Sequence, residues 1–483
     1  MTDEGREGVK NIWMTGLGQF LRFVLLLATA ITLPRLFGVE VYGMFSAILA
    51  AVSVLFVFSI LGLRFVELRF LAPLLRTGNR AEAAVLASSV FNLRILAGLI
   101  AALVCAFWVG LSNTNQDLTL LVGVGLFALA RYWLEAARSL LLPLGRLPWY
   151  IGIELANLFL SLCALILGYL TGGLADAFFA ASAAGILLTC LGFRLNREVL
   201  EIVLGQIDWA RVRSILPYCF YSLLSALFIA LQASTPVWIL SLVGDLKQVA
   251  YLGVSVQILI SLNGLCTAAW QSLLPILSSI QEKGEHQRLV QWSSLLMRVA
   301  AALFSIATVI WVAVGEDVTR VLLGVEYQQA YPCVTMILLA AIGFSMGVCS
   351  NGVIMLRKRA SLGSLNYLVS FLSTLTGVLW LYGLGLAGDA HHMSQVYAIS
   401  SLTFFLFSYV ALGFFEKIWI PVGRTIVLLL PALAAPQAMW WDADLAFRII
   451  SSLALVTLYS GGVVAFCLVP WPELRYALSL FRR

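Results

Sequence analysis

Charge is scarce in this chain. Only 11% of its 483 residues are Asp, Glu, Lys or Arg, less than half the roughly 25% of an ordinary soluble domain. With 61% hydrophobic residues, a water-soluble fold would lack the polar surface to cover itself. Histidine is scarcer still: His286, His391 and His392 are the three, all between apolar runs. No Ser, His and Asp arrangement suits hydrolysis, and no catalytic residue is expected. Eight cysteines are present without any CxxC or Cys/His spacing, so neither a metal site nor a disulfide framework is in view. They read as small apolar packing residues, and no cofactor is expected. Long polar segments are also missing. The longest, Arg194 to Leu216, is too short to fold as a domain, which places function in the apolar segments or at their ends. The start, MTDEGREGVKN, runs into an apolar stretch too long for a cleavable leader.

What fills the chain is apolar runs of about twenty residues, a length that crosses a ~30 Å hydrocarbon core as a helix. Barrel strands would instead alternate apolar and polar over about ten residues. Lipid admits only these two solutions, because every backbone polar group must be paired internally. The runs predict fourteen transmembrane helices, at 11–34, 44–63, 84–111, 119–140, 149–170, 176–194, 217–243, 250–280, 293–314, 332–356, 364–386, 394–415, 425–441 and 445–469. The fold class is an all-α membrane protein. The thirteenth span is the shortest and contains Pro431 and Pro436; the eighth is expected to extend past the membrane surface.

Basic residues orient the spans. With the N-terminus cytoplasmic, 23 of the 30 Lys and Arg residues fall on the cytoplasmic side and 3 on the other, Arg35, Lys247 and Arg320. The remaining four, Arg22, Arg94, Arg131 and Arg448, lie within spans. A wrong span count would scramble this alternation. An even count puts both termini in the cytoplasm, and the net charge of +6 reads as topology, with no nucleic-acid partner.

A repeat is visible. LFGVEVYGMFSAI after the first span is echoed by LVGDLKQVAYLGVSVQI after the seventh. Gly38 and Gly244 are 206 residues apart, and so are Gly78 and Gly284 in the next loops. Six spans separate the copies, so they point the same way, as in a parallel repeat about an axis along the membrane normal.

The same stretches carry a resemblance. LPRLFGVEVYGMF resembles the turn after the first helix in the polysaccharide-flippase branch of the multidrug/oligosaccharidyl-lipid/polysaccharide exporter superfamily. ILGLRFVELRFLA is similar to that family's second-helix ending, PILSSIQEKGEHQRL to its loop after helix eight, and LLGVEYQQAY to the segment before helix ten. One departure is Val39, where the family usually has proline. The resemblance implies two six-helix lobes, 1–216 and 217–415, around a central cavity, with two additional helices in 416–483. It implies a transporter, not an enzyme, that flips a polyprenyl-linked oligosaccharide from the cytoplasmic to the periplasmic leaflet of a bacterial cell inner membrane by alternating access. The product would be surface polysaccharide: O-antigen, capsule or exopolysaccharide. A proton or sodium gradient and a partner polymerase or export machinery are implied with it. Two rivals stand beside this reading. A drug/cation antiporter of the same superfamily usually has twelve spans and acidic cavity residues. A membrane polysaccharide polymerase or ligase needs a large external loop with basic residues, whereas the longest external segment here, Gly315 to Tyr331, holds Arg320 alone.

Charge inside spans marks the candidate site. An arginine at mid-membrane costs about 2.5–3.5 kcal/mol on insertion scales, so it faces a cavity or a partner. Arg22, Arg94 and Arg131 lie at similar depths in the first lobe, and guanidinium forks suit a lipid diphosphate. Arg22 shares a helical stripe with Thr15 and Gln19, in a span without an acid. Arg131 and Glu135, at i,i+4, are spaced to pair, and Arg94 is a further partner for Glu135 or Glu154. These two glutamates are the ion-coupling candidates. In the second lobe the amides Gln232, Gln257 and Asn263 suit sugar hydroxyls and equally suit helix–helix hydrogen bonds. Pro34 and Pro236 are placed to bend the first and seventh helices.

Overall fold

The computed structural model describes residues 3–420, apart from 61, 64–66, 72–73, 76, 113–116, 197–206, 283 and 358. Among these residues there are eleven α-helices and no strand. They are α1 Asp3–Ile60, α2 Arg80–Ser112, α3 Leu118–Ser139, α4 Leu147–Gly172, α5 Leu174–Asn196, α6 Trp209–Val243, α7 Leu246–Glu282, α8 His286–Leu322, α9 Ala330–Leu356, α10 Ala360–Gly383 and α11 Ala390–Glu416. Ten of them are long and apolar enough to cross a membrane, and the protein is a multi-pass membrane protein. Each of the first twelve expected spans falls on one of these helices, the first two on the arms of α1. The expected spans 425–441 and 445–469 lie outside the described residues.

The arms of α1 meet at Gly38, with φ 73° and ψ 171°, a conformation open to a residue without Cβ. The bend expected at Pro34 thus falls one turn later. Proline removes one hydrogen bond from a helix, whereas Gly38 leaves helical geometry altogether. The next loops of the two sequence copies are built alike. Gly78 and Gly284 have φ of 77° and 72°. Each donates its N–H to the carbonyl three residues back, and the residue after each donates to the carbonyl five back.

The chain forms two compact units. One comprises residues 24–29 and 36–250. In it α5 packs on α3 and α4, and α3 on α2. The α3–α5 seam is made of small residues one heptad apart: Ala130 faces Gly185, and Ala137 faces Gly192. Small residues let backbones approach where lipid supplies no hydrophobic drive to hold helices together. The other unit comprises, among the described residues, 3–23, 30–35 and 251–420. Its centre is α9, with 83% of its apolar window buried, flanked by α8 and α11. Gly347 of α9 lies against the ring of Phe404, which leaves no room there for a larger residue. Buried hydroxyls in both units, such as Ser182, Thr189, Ser255 and Thr308, donate to the carbonyl one turn back. This satisfies them within their own helices.

Candidate functional site

Arg22 is half-buried on the first arm of α1. Its Nη1 donates to Gln19 Oε1 at 3.4 Å, one turn earlier, as the helical spacing requires. Leu17, Phe20, Leu21 and Val24 around it are exposed apolar residues, so the polar stripe is turned away from the apolar face. The guanidinium rests on α7 at Gly264, where a Cβ would lie 3.3 Å from Nη1. Asn263 is the neighbouring residue, and its Oδ1 is buried with no hydrogen bond from the described residues. Gln257 is half-buried seven residues before Gly264, hence on the same face of α7. Arg22, next to Gln19, thus meets α7 at Gly264, the helix that also carries Gln257 and Asn263. Gly264, whose lack of a side chain admits the guanidinium, was not singled out by the sequence reading.

In the other unit the intramembrane charges divide. Arg94 is 2% exposed. Its Nη1 donates to Glu67 Oε1 at 2.6 Å and also bonds the Ser139 hydroxyl. Arg94 thus takes neither of its expected partners, Glu135 and Glu154. Glu67 lies on a π-turn, Glu67–Leu71, between α1 and α2. Gly62, with φ 66°, comes close to the backbone of α6; a Cβ there would be 2.4 Å from the Cys219 carbonyl oxygen.

Glu135 and Glu154 share a different arginine. Arg138 Nη2 meets Glu135 Oε2 at 2.6 Å and Nη1 meets Glu154 Oε2 at 2.9 Å, while the guanidinium lies 4.5 Å from the centre of the Tyr150 ring. Glu135 thus pairs with Arg138 at i,i+3, a partner that the i,i+4 spacing to Arg131 did not point to. Arg131 is exposed, with its guanidinium carbon 5.5 Å from the centre of the Phe56 ring. Gln232 is buried on α6. Glu67, Arg138 and Ser139 went unassigned by the sequence reading. The one available signal was that Glu67 is the only acid in the basic stretch from Arg64 to Arg80.

No protein-family model and no curated protein matches the sequence. Among solved structures the chain is similar to the lipid II flippase MurJ in an inward closed conformation. That likeness has a TM-score of 0.69 over 92% of this chain and 97% of that one, at 14% identity. It is also similar to an inward-facing multidrug resistance MATE family transporter of the MOP superfamily, with a TM-score of 0.66 over 83% of this chain and 96% of that one, at 12% identity. A third likeness is to the MATE multidrug transporter DinF-BH in complex with R6G, with a TM-score of 0.60 over 85% and 95%, at 14% identity. The fold is thus one shared by MurJ and the MATE transporters of the multidrug/oligosaccharidyl-lipid/polysaccharide exporter superfamily. These relatives in fold are transporters, not enzymes.

Proposed function

We propose that this protein flips a polyprenyl-linked oligosaccharide from the cytoplasmic to the periplasmic leaflet of a bacterial inner membrane, for surface polysaccharide biosynthesis. The observation that carries the reading is the Arg22 guanidinium within a span, beside Gln19 and against α7 next to Asn263. A guanidinium binds diphosphate oxygens in a forked geometry, and the amides offer both donors and acceptors to sugar hydroxyls. The fold likeness to a lipid II flippase supports a lipid-linked cargo. In this reading the lobes 1–216 and 217–415 alternate access, residues 416–483 add two helices, both termini are cytoplasmic, and Arg131 and Gln232 join the substrate path. The driving ion is a proton or sodium, and the product passes to a polymerase or export machinery.

Deletion should trap lipid-linked repeat units on the cytoplasmic leaflet. Arg22→Ala should abolish export while the protein accumulates normally in the membrane, and Arg22→Lys should retain part of it, because charge remains while the fork is lost. Normal export by Arg22→Ala at normal abundance removes Arg22 from the site. A second reading, drug extrusion, is favoured by the likeness to a MATE transporter in complex with R6G. Drug resistance lost on deletion, with polysaccharide unchanged, would establish it instead.

A further inference from the structure

Two stretches that carry the family resemblance touch one another. Pro34 and Arg35 of LPRLFGVEVYGMF close the first arm of α1, and LLGVEYQQAY joins α8 to α9. Tyr327, 1% exposed, donates its hydroxyl to the Pro34 carbonyl at 3.2 Å. Arg35 Nη1 donates to the Val321 carbonyl at 3.4 Å. These bonds span 293 and 286 positions of sequence, so helix geometry does not produce them. All four residues belong to the unit that holds 30–35 and 251–420. The basic residues assign this end of α1 to the extracytoplasmic side.

The α8–α9 corner is bonded to itself. Trp311 Nε1 donates to the Tyr331 carbonyl at 3.3 Å, and the Tyr331 hydroxyl to the Val312 carbonyl at 2.8 Å. Gln328 Nε2 donates to Glu316 Oε1 at 2.5 Å. The Tyr327 N–H bonds the Gly324 carbonyl at 3.1 Å, and its ring stands edge-on to Tyr251 of α7 with centroids 6.1 Å apart. This firm corner receives the arm through the Tyr327 and Arg35 bonds. The same arm carries Arg22 twelve residues before Pro34, about 18 Å along a helix. There the guanidinium rests at Gly264, in the same unit. One helix is therefore held to one unit at two places, and displacing its end displaces Arg22. We propose that Tyr327 is a positioning residue for the transport site: its hydroxyl, with Arg35, clasps the end of the arm and keeps Arg22 seated at Gly264. Arg35 and Val321 are exposed, so water can take over the bonds when the clasp opens. A hydrogen bond exchanged for one to water has a small net worth, and the clasp can open and close in each transport cycle, seating and lifting the guanidinium. This assignment rests on the reading of Arg22 as the group that binds an anionic headgroup.

The test is the rate of thiol labelling by a membrane-permeant reagent, on protein in lipid nanodiscs with Ala30→Cys as its one cysteine. Ala30 is 1% exposed and lies one turn before Pro34, so its labelling counts openings of the clasp even when they are rare. Tyr327→Phe keeps the ring and removes the hydroxyl. It should speed this labelling about two- to tenfold, the worth of one hydrogen bond. A parallel protein that retains Cys349 alone, buried in α9, should label at the same rate with and without Tyr327→Phe. Arg35→Ala should act as Tyr327→Phe does, and it replaces that variant if the latter fails to fold. Unchanged labelling of Ala30→Cys, or equal acceleration at Cys349, overturns the clasp. Added polyprenyl diphosphate should slow the labelling of Ala30→Cys, because a ligand held by the seated guanidinium favours the closed clasp. With Arg22→Ala also present it should not. Bound lipid that leaves the rate unchanged refutes the link from Tyr327 to Arg22. A protein that binds no polyprenyl diphosphate yet shows the Tyr327→Phe acceleration retains the clasp and rejects the proposed cargo.

Discussion

Replacing Arg94 by Met isolates the worth of the buried pair. Methionine fills much of the same volume and removes the charge, leaving Glu67 ionised, 2% exposed and facing no cation where Arg94 stood. Breaking a buried ion pair on one side costs about 3–5 kcal/mol, and the Ser139 hydroxyl, bonded to Arg94, loses a further partner worth about 1 kcal/mol. The expected loss is therefore about 4–6 kcal/mol by addition of these two effects. Removing both charges, Glu67→Leu with Arg94→Met, leaves no stranded ion and should recover most of that loss, because apolar replacements of buried pairs are neutral or stabilising. The assay is denaturant unfolding of the purified protein in detergent for both single variants and the double. Acidity gives a second handle. In Arg94→Met a lone buried carboxylate takes up a proton more readily folded than unfolded, so the penalty shrinks as pH falls and grows as pH rises. A loss under about 1 kcal/mol for Arg94→Met, or a double variant as unstable as the two single losses added, would refute the claim that these groups depend on one another.

Further outcomes follow from the geometry. A Cβ at Gly43 would lie 2.1 Å from the Leu246 carbonyl oxygen, so Gly43→Val must displace backbone and should cost about 1–3 kcal/mol, read from the unfolding midpoint; an unchanged midpoint would contradict the contact. Gly347→Leu should lower stability by a similar amount, about 1–3 kcal/mol, because Phe404 occupies the space. In a cysteine-free background, a cysteine beside Asp389 should react with an impermeant external thiol reagent and one at Thr77 should not; reversed labelling would invert the orientation drawn from the basic residues.

Much of the architecture was legible because lipid imposes simple rules. Helix length follows from bilayer thickness, and arginine and lysine positions sort the loops, so the first twelve spans could be set out without contacts. The partners of individual charges could not. Spacing pointed from Glu135 to Arg131 at i,i+4 and gave no sign of Arg138, which bonds Glu135 and also reaches Glu154 on α4. Glu67 was missed because it lies outside every apolar run, in a loop where an acid reads as solvated. In the structure it meets the buried Arg94 at 2.6 Å. The break at Gly38 was obscured in the same way: proline is the stronger signal in a sequence, while a glycine at positive φ shows itself only through backbone geometry.

Arg22 and Arg94 look alike as sequence, each an arginine within an apolar run at about 2.5–3.5 kcal/mol on insertion scales. Their surroundings separate them. Arg94 closes on a carboxylate at 2.6 Å, so an anionic ligand reaching it would have to displace an ion already in place. Arg22 donates to the amide oxygen of Gln19 at 3.4 Å and lies against the bare backbone of Gly264. A transporter that moves a charged headgroup needs a cation that can accept and release it. Under the proposed function Arg22 takes this task, and the pair of Glu67 with Arg94 holds its own unit together. An acid placed opposite Arg22, as in Gly264→Asp, should then block the cargo by pairing with the guanidinium; flipping of a lipid-linked oligosaccharide in proteoliposomes at the wild-type rate by that variant would refute the role.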